Sequence, residues 1–194
     1  MALVPPDLAL AQHVPALAAG SRLLVTGGAG FIGSHLAAHL KALGMHVVGL
    51  DNFDPYYSPA LKHARKARAV ASGVEFVEGD MCDASLLRRL FAEHNFTHVA
   101  SLAAQAGVRY SVDHPQAYVR ANVECFVSLL ETLRLYPSTK LVYASSSSVY
   151  GTNAKVPSPR TGGRLGGHIP ISMSMSLDSG LPRLQMLSLS TSAA

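Results

Sequence analysis

The stretch Thr26-Gly27-Gly28-Ala29-Gly30-Phe31-Ile32-Gly33 decides the fold of this chain. It follows a short apolar run, Arg22–Thr26, and opens a segment over residues 31–43 whose apolar side chains recur at helical spacing. Its glycines match the pattern G-x-G-x-x-G over residues 28–33. In that pattern the backbone approaches a pyrophosphate closely, and a helix N-terminus supplies amide donors for the phosphates. The stretch therefore predicts a strand, a turn and a helix that begin a dinucleotide-binding domain.

Residues 21–157 alternate predicted strands with predicted helices. Strands are predicted over Arg22–Thr26 and over residues 46–50, 74–77, 98–102 and 140–144, and helices over 31–43, 59–72, 114–135 and from the N-cap Asp83 to about residue 94. Such alternation is typical of crossover units that build a parallel sheet. We predict an α/β fold, a Rossmann-like domain of five parallel strands with helices on both faces.

The two ends of the chain differ from this central domain. Residues 1–20 contain three prolines and no basic start, so they predict a flexible arm rather than a signal peptide. Residues 158–194 form a low-complexity tail in which no helical or strand period is sustained. From residue 161 onward the tail has no Lys or Tyr and a single acidic residue, Asp178. We predict that this carboxy-terminal tail is disordered.

Composition excludes several functional classes. The 194 residues are 48% hydrophobic and 14% charged, which suits one globular domain and excludes disorder of the whole chain. The net charge of +4 is mild, and the basic cluster at residues 62–68 is best interpreted as a solvated helix face, so nucleic acid is not a predicted partner. No run of 18 apolar residues occurs, so no membrane segment is predicted. Cys82 and Cys125 are far apart in sequence and are predicted to be reduced, structural thiols.

A carboxylate follows the second predicted strand at the position that dinucleotide-binding domains use. Asp51 comes 18 residues after Gly33 (51 − 33), where an acid binds the ribose hydroxyls of adenosine. Its negative charge would repel a 2′-phosphate, which favours NAD over NADP. The alternative is a glycine turn that holds no ligand. His35 and His39 are four residues apart, but no third ligand is in view, so no metal site is predicted.

Further polar residues follow the later strands. Asp80 comes after the third strand, where a carboxylate can meet the adenine amino group or simply cap a turn. Asn122 borders an apolar stripe in the last predicted helix, and a structural hydrogen bond and a functional contact both stay open for it. The serines at residues 145–148 follow the fifth strand, at the sheet edge where open α/β folds bind ligands. They predict hydrogen-bond donors to a substrate oxygen, with a plain polar loop as the alternative.

Three segments together resemble the UDP-glucuronate 4-epimerases, within the extended short-chain dehydrogenase/reductases. They are Asp-Asn-Phe-Asp-Pro-Tyr-Tyr at 51–57, Leu-Ala-Ala-Gln-Ala-Gly-Val-Arg at 102–109 and Ala-Ser-Ser-Ser-Ser-Val-Tyr-Gly at 144–151. The resemblance covers about residues 21–157 and does not extend into the tail. It implies an isomerase in which NAD oxidises C4 of a bound UDP-sugar and hydride returns to the opposite face, converting UDP-glucuronate to UDP-galacturonate.

The resemblance also implies roles for individual residues. NAD contacts are implied at the following positions: Gly27, Gly30, Phe31, Ile32, Gly33, Asp51, Asn52, Asp80, Met81, Ala103, Ala104 and Asn122. Ser146 matches the serine that hydrogen-bonds the reacting hydroxyl and is the predicted catalytic residue, while Ser147 and Arg109 are predicted to contact the substrate. The implied partner is a UDP-sugar; association into a homo-oligomer is left open. The cytoplasm is the default compartment, with the Golgi open for a full-length eukaryotic relative.

The sequence also departs from the family pattern. The catalytic Tyr-x-x-x-Lys of the family should begin near Ile171, but no Tyr follows Tyr150 and no Lys follows Lys155. Without that pair, and without the carboxy-terminal domain that encloses the UDP-sugar, we expect the chain as written to be inactive. A sixth strand is also expected to be missing, which would leave a sheet edge uncovered.

The departure begins just after Val156-Pro157, where Ser-Pro-Arg replaces the family's Phe-Ser-Glu. Deletion of one base produces this change, so a frameshift is the leading hypothesis for the tail and an alternative exon is the second. Two functional alternatives stay open beside the epimerase lineage. One is a non-catalytic NAD-binding module, and the other is a dehydratase or decarboxylase of UDP- or dTDP-sugars.

Overall fold

The computed structural model describes residues 17–145 and the strand Gln185–Ser188. In chain order the elements are β1 (Arg22–Thr26), α1 (Phe31–Ala42), β2 (His46–Asp51), α2 (Pro59–Ala71), β3 (Glu75–Glu78), α3 (Ala84–His94), β4 (His98–Ser101), α4 (Val108–Asp113), α5 (Pro115–Tyr118), a π-helical segment (Val119–Glu124), α6 (Cys125–Arg134), β5 (Lys140–Ser145) and β6 (Gln185–Ser188). The predicted strands and the first three predicted helices agree with these bounds to within one or two residues.

The strands form one parallel sheet in the order β3-β2-β1-β4-β5-β6. In β1, Val25 lies opposite Gly49 of β2 on one side and Ala100 of β4 on the other. The chain thus moves outward in one direction from β1 to β3 and in the other from β4 to β6. This reversal opens a crevice at the carboxyl ends of β1 and β4, the usual ligand site of such sheets. The predicted Rossmann-like fold is confirmed.

The sheet has one strand more than predicted. β6 pairs in parallel with β5, from Val142 opposite Gln185 to Ser145 opposite Ser188. An exposed strand such as β5 presents backbone donors and acceptors, and a four-residue extended segment is enough to pair with them. Four residues are too few to show a strand period in the sequence. The expectation of a missing sixth strand was therefore wrong, while the predicted flexible arm before residue 17 and the rest of the predicted disordered tail lie outside the described residues.

Helices cover both faces of the sheet. Side chains alternate along β1, so Leu23 and Val25 face one layer while Leu24 faces the other. The first layer contains α1 and α2, where Leu40 and other apolar residues are buried. The second contains α3 and α6, whose Phe91 and Leu129 are fully buried. Burial on both faces is the expected state of a parallel sheet with crossover helices.

The helix ends show where local signals were sufficient and where they were not. Asp83 caps α3 as predicted, because its Oδ1 accepts hydrogen bonds from the amides of Ser85 (2.9 Å) and Leu86 (3.0 Å). The single helix predicted over residues 114–135 is instead divided into α5, the π-helical segment and α6, and α4 precedes it. α4 has six residues, too few for a helical period to be recognised. π-helical turns are rare and are frequently found at functional sites.

Candidate coenzyme-binding site

A cavity of about 350 Å³ opens at the carboxyl edge of the sheet. It lies at the crevice between β1 and β4 and extends across the ends of β2 and β3. Eleven of the twelve residues for which the resemblance implied NAD contacts line it: Gly27, Gly30, Phe31, Ile32, Gly33, Asp51, Asn52, Asp80, Met81, Ala103 and Ala104. The structure thus brings these residues together, and their contact with NAD stays a prediction.

The glycine-rich turn forms the floor of the cavity and has no room for side chains. Gly27 has a φ of +69°, and a Cβ there would lie 2.9 Å from the amide nitrogen of Ala103. A Cβ on Gly33 would collide with the carbonyl oxygen of Gly27. Gly30 precedes α1 and provides no side-chain cap. The amides of the first turn of α1 are therefore available to an anion such as a pyrophosphate.

Asp51 joins this turn to the end of β2. The residue is buried, and its Oδ2 accepts a hydrogen bond from the amide of Ala29 at 3.0 Å. Its Oδ1 accepts from the amide of Phe53 (2.9 Å) and from Nζ of Lys62 (3.3 Å). A carboxylate has about four acceptor positions, so one remains for a ribose hydroxyl. Asp51 therefore supports the turn in addition to its predicted role toward the ribose.

Lys62 was missed as a site residue. Its side chain is only 11% exposed, lines the cavity and forms an ion pair with Asp51. The interpretation of the basic cluster as a solvated face was thus wrong for Lys62, and the other members also have partners: Lys66 pairs with Glu78, and Arg65 lies over the Phe31 ring. Helical spacing alone could not show that α2 turns this lysine toward β2. Because Lys62 partly neutralises Asp51, the repulsion of a 2′-phosphate is weaker than the sequence suggested.

Asp80 lies on the opposite wall, in the loop after β3. Its Oδ1 accepts a hydrogen bond from the amide of Cys82 at 2.9 Å, as in a turn. Its Oδ2 forms an ion pair at 2.9 Å with Arg120, which belongs to the π-helical segment. Both alternatives for Asp80 are compatible with this arrangement, because the carboxylate closes a turn and also lines the cavity.

The same wall contains a disulfide between Cys82 and Cys125. The prediction of two reduced thiols was therefore wrong for this structure. Their separation by 43 positions in the sequence conceals that the β3 loop and the start of α6 meet at the sheet edge. With Asp80, these cysteines form a group of three side chains whose ligand atoms lie within 4.8 Å of one another. Since the two sulfurs are bonded to each other, they are not the thiolates that bind metals.

Asn122 does not line the cavity. Its Oδ1 accepts a hydrogen bond from the amide of Gln105 at 2.7 Å, and its Nδ2 donates to the carbonyl oxygen of Gln105 at 3.1 Å. Of the two alternatives left open by the sequence, the structure therefore shows the structural hydrogen bond. This pair of bonds holds the segment that follows β4, which places Ala103 and Ala104 on the cavity wall.

Four tyrosines gather at the outer end of the cavity and were not singled out from the sequence. Tyr56 and Tyr57 line the cavity, and the ring of Tyr56 lies 4.9 Å from that of Tyr110. Tyr118 donates from its hydroxyl to the carbonyl oxygens of Ala106 (2.6 Å) and Gly107. Desolvation, with smaller contributions from Tyr56 and Tyr110, raises the pKa of Tyr118 against an opposing hydrogen bond with Gln105. The Tyr118 hydroxyl therefore stays protonated at neutral pH and can donate to the loop before α4.

The predicted substrate residues are only partly described. Arg109 lies exposed on α4, beyond the residues that line the cavity. Ser146 and Ser147 lie outside the described residues. Ala144, near the end of β5, does line the cavity.

The fold and the cavity together define a class of protein. The strand order, the glycine-rich turn at the crevice and the buried acid at the end of β2 are features of Rossmann-type dinucleotide-binding domains. Residues 24–162 match the family described as GDP-mannose 4,6 dehydratase. The chain belongs to this family of NAD-dependent epimerases and dehydratases.

Individual relatives are similar over the same region. UDP-glucuronate 4-epimerase 4 of Arabidopsis thaliana is 55% identical over 139 residues, which cover 71% of this chain and 32% of the relative. A crystal structure of UDP-glucuronic acid 4-epimerase from Bacillus cereus, in complex with UDP-glucuronic acid and NAD, matches with a TM-score of 0.62 and 36% identity over 69% of this chain and 43% of that one. UDP-glucose 4-epimerase from Brucella ovis in complex with NAD matches with a TM-score of 0.61 and 34% identity, over 71% and 39% of the two chains.

The chain spans about a third of the length of the curated plant relatives that it matches. Among the residues that the structure describes, no helix is both long and apolar enough to cross a membrane.

Proposed function

We propose that these residues form the NAD-binding part of a nucleotide-sugar epimerase that converts UDP-glucuronate to UDP-galacturonate through a 4-keto intermediate. The observation that carries the proposal is the convergence of eleven implied NAD contacts on one cavity at the switch point of the sheet. The similarity to UDP-glucuronate 4-epimerases of Arabidopsis thaliana, which reaches 55% identity over 139 residues, supports the choice of sugar.

The residues present fit NAD. The uncapped start of α1 and the bare glycine turn accept a pyrophosphate, and a Cβ at Gly33 would fill this cradle. Asp51 holds the turn and keeps an acceptor position for a ribose hydroxyl. When bound, NAD supplies the hydride acceptor and donor for C4 of the sugar. Ser146 hydrogen-bonds the C4 hydroxyl in this proposal, and Arg109 approaches the sugar carboxylate.

We also propose that the 194 residues as written bind NAD without turning over UDP-sugars. The proton of the C4 hydroxyl needs an acceptor, and no Tyr-x-x-x-Lys follows the serines at residues 145–148, where the family has it. The one match in the sequence, Tyr136 to Lys140, ends at the first residue of β5. General acid–base help is typically worth about 10² to 10⁴ in rate, and lost positioning of the substrate can cost more. This favours the non-catalytic NAD-binding module as the second candidate function for these residues alone.

Titration calorimetry with NAD, followed by chromatography of UDP-sugars after incubation, tests both proposals. We expect NAD binding and no UDP-galacturonate. Fusing residues 1–157 in frame to the remaining part of a UDP-glucuronate 4-epimerase should restore the product, and Ser146→Ala in that fusion should reduce turnover while NAD stays bound. Absence of NAD binding would refute the first proposal, and robust turnover by the 194 residues would refute the second.

A further inference from the structure

Cys82 and Cys125 adjoin the cavity, yet the proposed reaction uses neither of them. Cys82 follows Asp80 and Met81 in the loop after β3, and Cys125 is the first residue of α6. Asp80, Met81 and Cys125 all line the cavity. The disulfide therefore joins two segments, 43 residues apart in sequence, that together form one wall of the coenzyme site.

The ion pair and the hydroxyl hydrogen bond that join the β3 loop to α6 and to the π-helical segment before it are weak. The ion pair between Asp80 and Arg120 involves side chains that are 32% and 60% exposed, and exposed ion pairs contribute about 0–1 kcal/mol. The hydroxyl of Ser128 donates to the carbonyl oxygen of Cys82 at a long distance of 3.4 Å. Met81 adds apolar packing in the core below. The disulfide is thus the covalent tie that holds the β3 loop against α6.

Reduction would change the surroundings of Asp80 directly. The Sγ of Cys125 lies 3.6 Å from Oδ1 of Asp80. A thiol at this distance can donate a hydrogen bond to the carboxylate, whereas a disulfide sulfur carries no proton and cannot. A reduced Cys125 can donate to this carboxylate and compete for the oxygen that now closes the turn with Cys82. Two thiols also cannot approach as closely as bonded sulfurs, which are about 2.05 Å apart. The two cysteine side chains must therefore move apart when the bond breaks, and one of them, Cys125, lines the cavity.

We propose that Cys82 and Cys125 form a redox modification site through which a dithiol reductant lowers the affinity for the coenzyme. The proposal rests on the proposed binding of NAD. Cys82 is half-buried whereas Cys125 is only 5% exposed, so an external thiolate reaches the Cys82 sulfur first. The attack breaks the disulfide, forms a mixed disulfide at Cys82 and releases Cys125 as a thiolate that takes up a proton.

The second thiol of the reductant then displaces Cys82. The reductant leaves as its own disulfide, and the protein has gained two electrons and two protons. An oxidised dithiol reverses the sequence. The oxidised protein holds its wall ready for the adenosine half of the coenzyme, whereas the reduced protein must order it on binding, which costs affinity. We expect the Kd for NAD to be on the order of threefold to tenfold higher in the reduced protein.

Titration calorimetry with NAD after treatment with oxidised or reduced dithiothreitol tests the proposal. The chain contains two cysteines, so any effect of dithiothreitol on its thiols belongs to this pair. We expect no free thiols in the denatured oxidised protein, two in the reduced protein, and a lower Tm after reduction. Cys82→Ser should bind NAD as the reduced protein does and should not respond to dithiothreitol in either Kd or Tm.

Equal NAD affinity in the two states of the protein would overturn the proposal, as would two free thiols after oxidation. A response of Cys82→Ser equal to that of the unaltered protein would overturn it as well. If NAD bound in neither state, the proposed function would be refuted, and the proposed redox control of NAD affinity would be refuted with it. The thiol count and the Tm would in that case still show whether the bond forms and stabilises the fold, which separates the two failures.

Discussion

Replacement of Asp51 by Asn tests whether its carboxylate holds the glycine-rich turn together. The carboxylate is 5% exposed and accepts hydrogen bonds from Ala29, Phe53 and Lys62 at 3.0, 2.9 and 3.3 Å. An amide of the same shape can accept on one side only, so its NH2 group must face at least one of these donors. The change also leaves the Lys62 ammonium, 11% exposed, without its counter-charge.

The expected loss of stability follows from these contacts. A hydrogen bond to a charged group contributes about 1.5–3 kcal/mol, and removal of one partner of a buried ion pair costs about 3–5 kcal/mol. We therefore expect Asp51→Asn to lower the free energy of unfolding by about 3 kcal/mol. For a domain of this size, that corresponds to a fall in Tm of roughly 10 °C.

Thermal and urea unfolding without NAD, followed by circular dichroism, measure this loss. The exposed pair Glu131 and Arg134, whose side chains are 59% and 67% exposed, provides a matched control. Glu131→Gln should cost less than about 0.5 kcal/mol. In a double-mutant cycle, Lys62→Gln should cost clearly less in the Asp51→Asn background than in the unaltered protein. A loss for Asp51→Asn no larger than that for Glu131→Gln would refute this account of the turn.

Three further predictions concern the coenzyme and pH. Ile32→Asp places a negative charge in the first turn of α1, on the cavity wall. It should weaken NAD binding in calorimetry at least about tenfold, a loss of about 1.4 kcal/mol, while the neutral change Ile32→Asn should have a much smaller effect. Equal effects of the two changes would contradict a pyrophosphate at this helix end. Asp51→Ala should weaken NAD binding and relax discrimination against NADP, and a preference of the unaltered protein for NADP would show that the role of Asp51 is wrong. Burial, with a smaller contribution from Lys140, lowers the pKa of His98 in the folded protein, so the unfolded chain binds more protons at this residue. The contribution of His98 to the free energy of unfolding should therefore be complete above pH 6.5 and should decrease as the pH falls from 6.5 toward the folded pKa. NMR titration of the His98 ring can check this direction.

Local sequence determined the parts of this protein that depend on neighbours along the chain. The glycine-rich turn needs glycine because the backbone of Ala103 and the carbonyl oxygen of Gly27 approach within contact distance, and such glycines are visible in the sequence. Asp83 caps α3 through amides two and three residues away, which makes the cap predictable. Strand and helix periods likewise report which faces are buried, so the α/β fold and the ends of β1 to β5 followed from them.

Tertiary structure decided the contacts between segments that are distant in sequence. Lys62 reaches Asp51 only because α2 packs beside β2, and a helical period says nothing about which neighbour a long side chain finds. Asn122 meets the backbone of Gln105, and Cys82 meets Cys125, because the π-helical segment and α6 pack against the loops that follow β4 and β3. β6 joins the sheet because β5 offers backbone groups to pair with, a property of the assembled sheet that four residues of sequence do not contain.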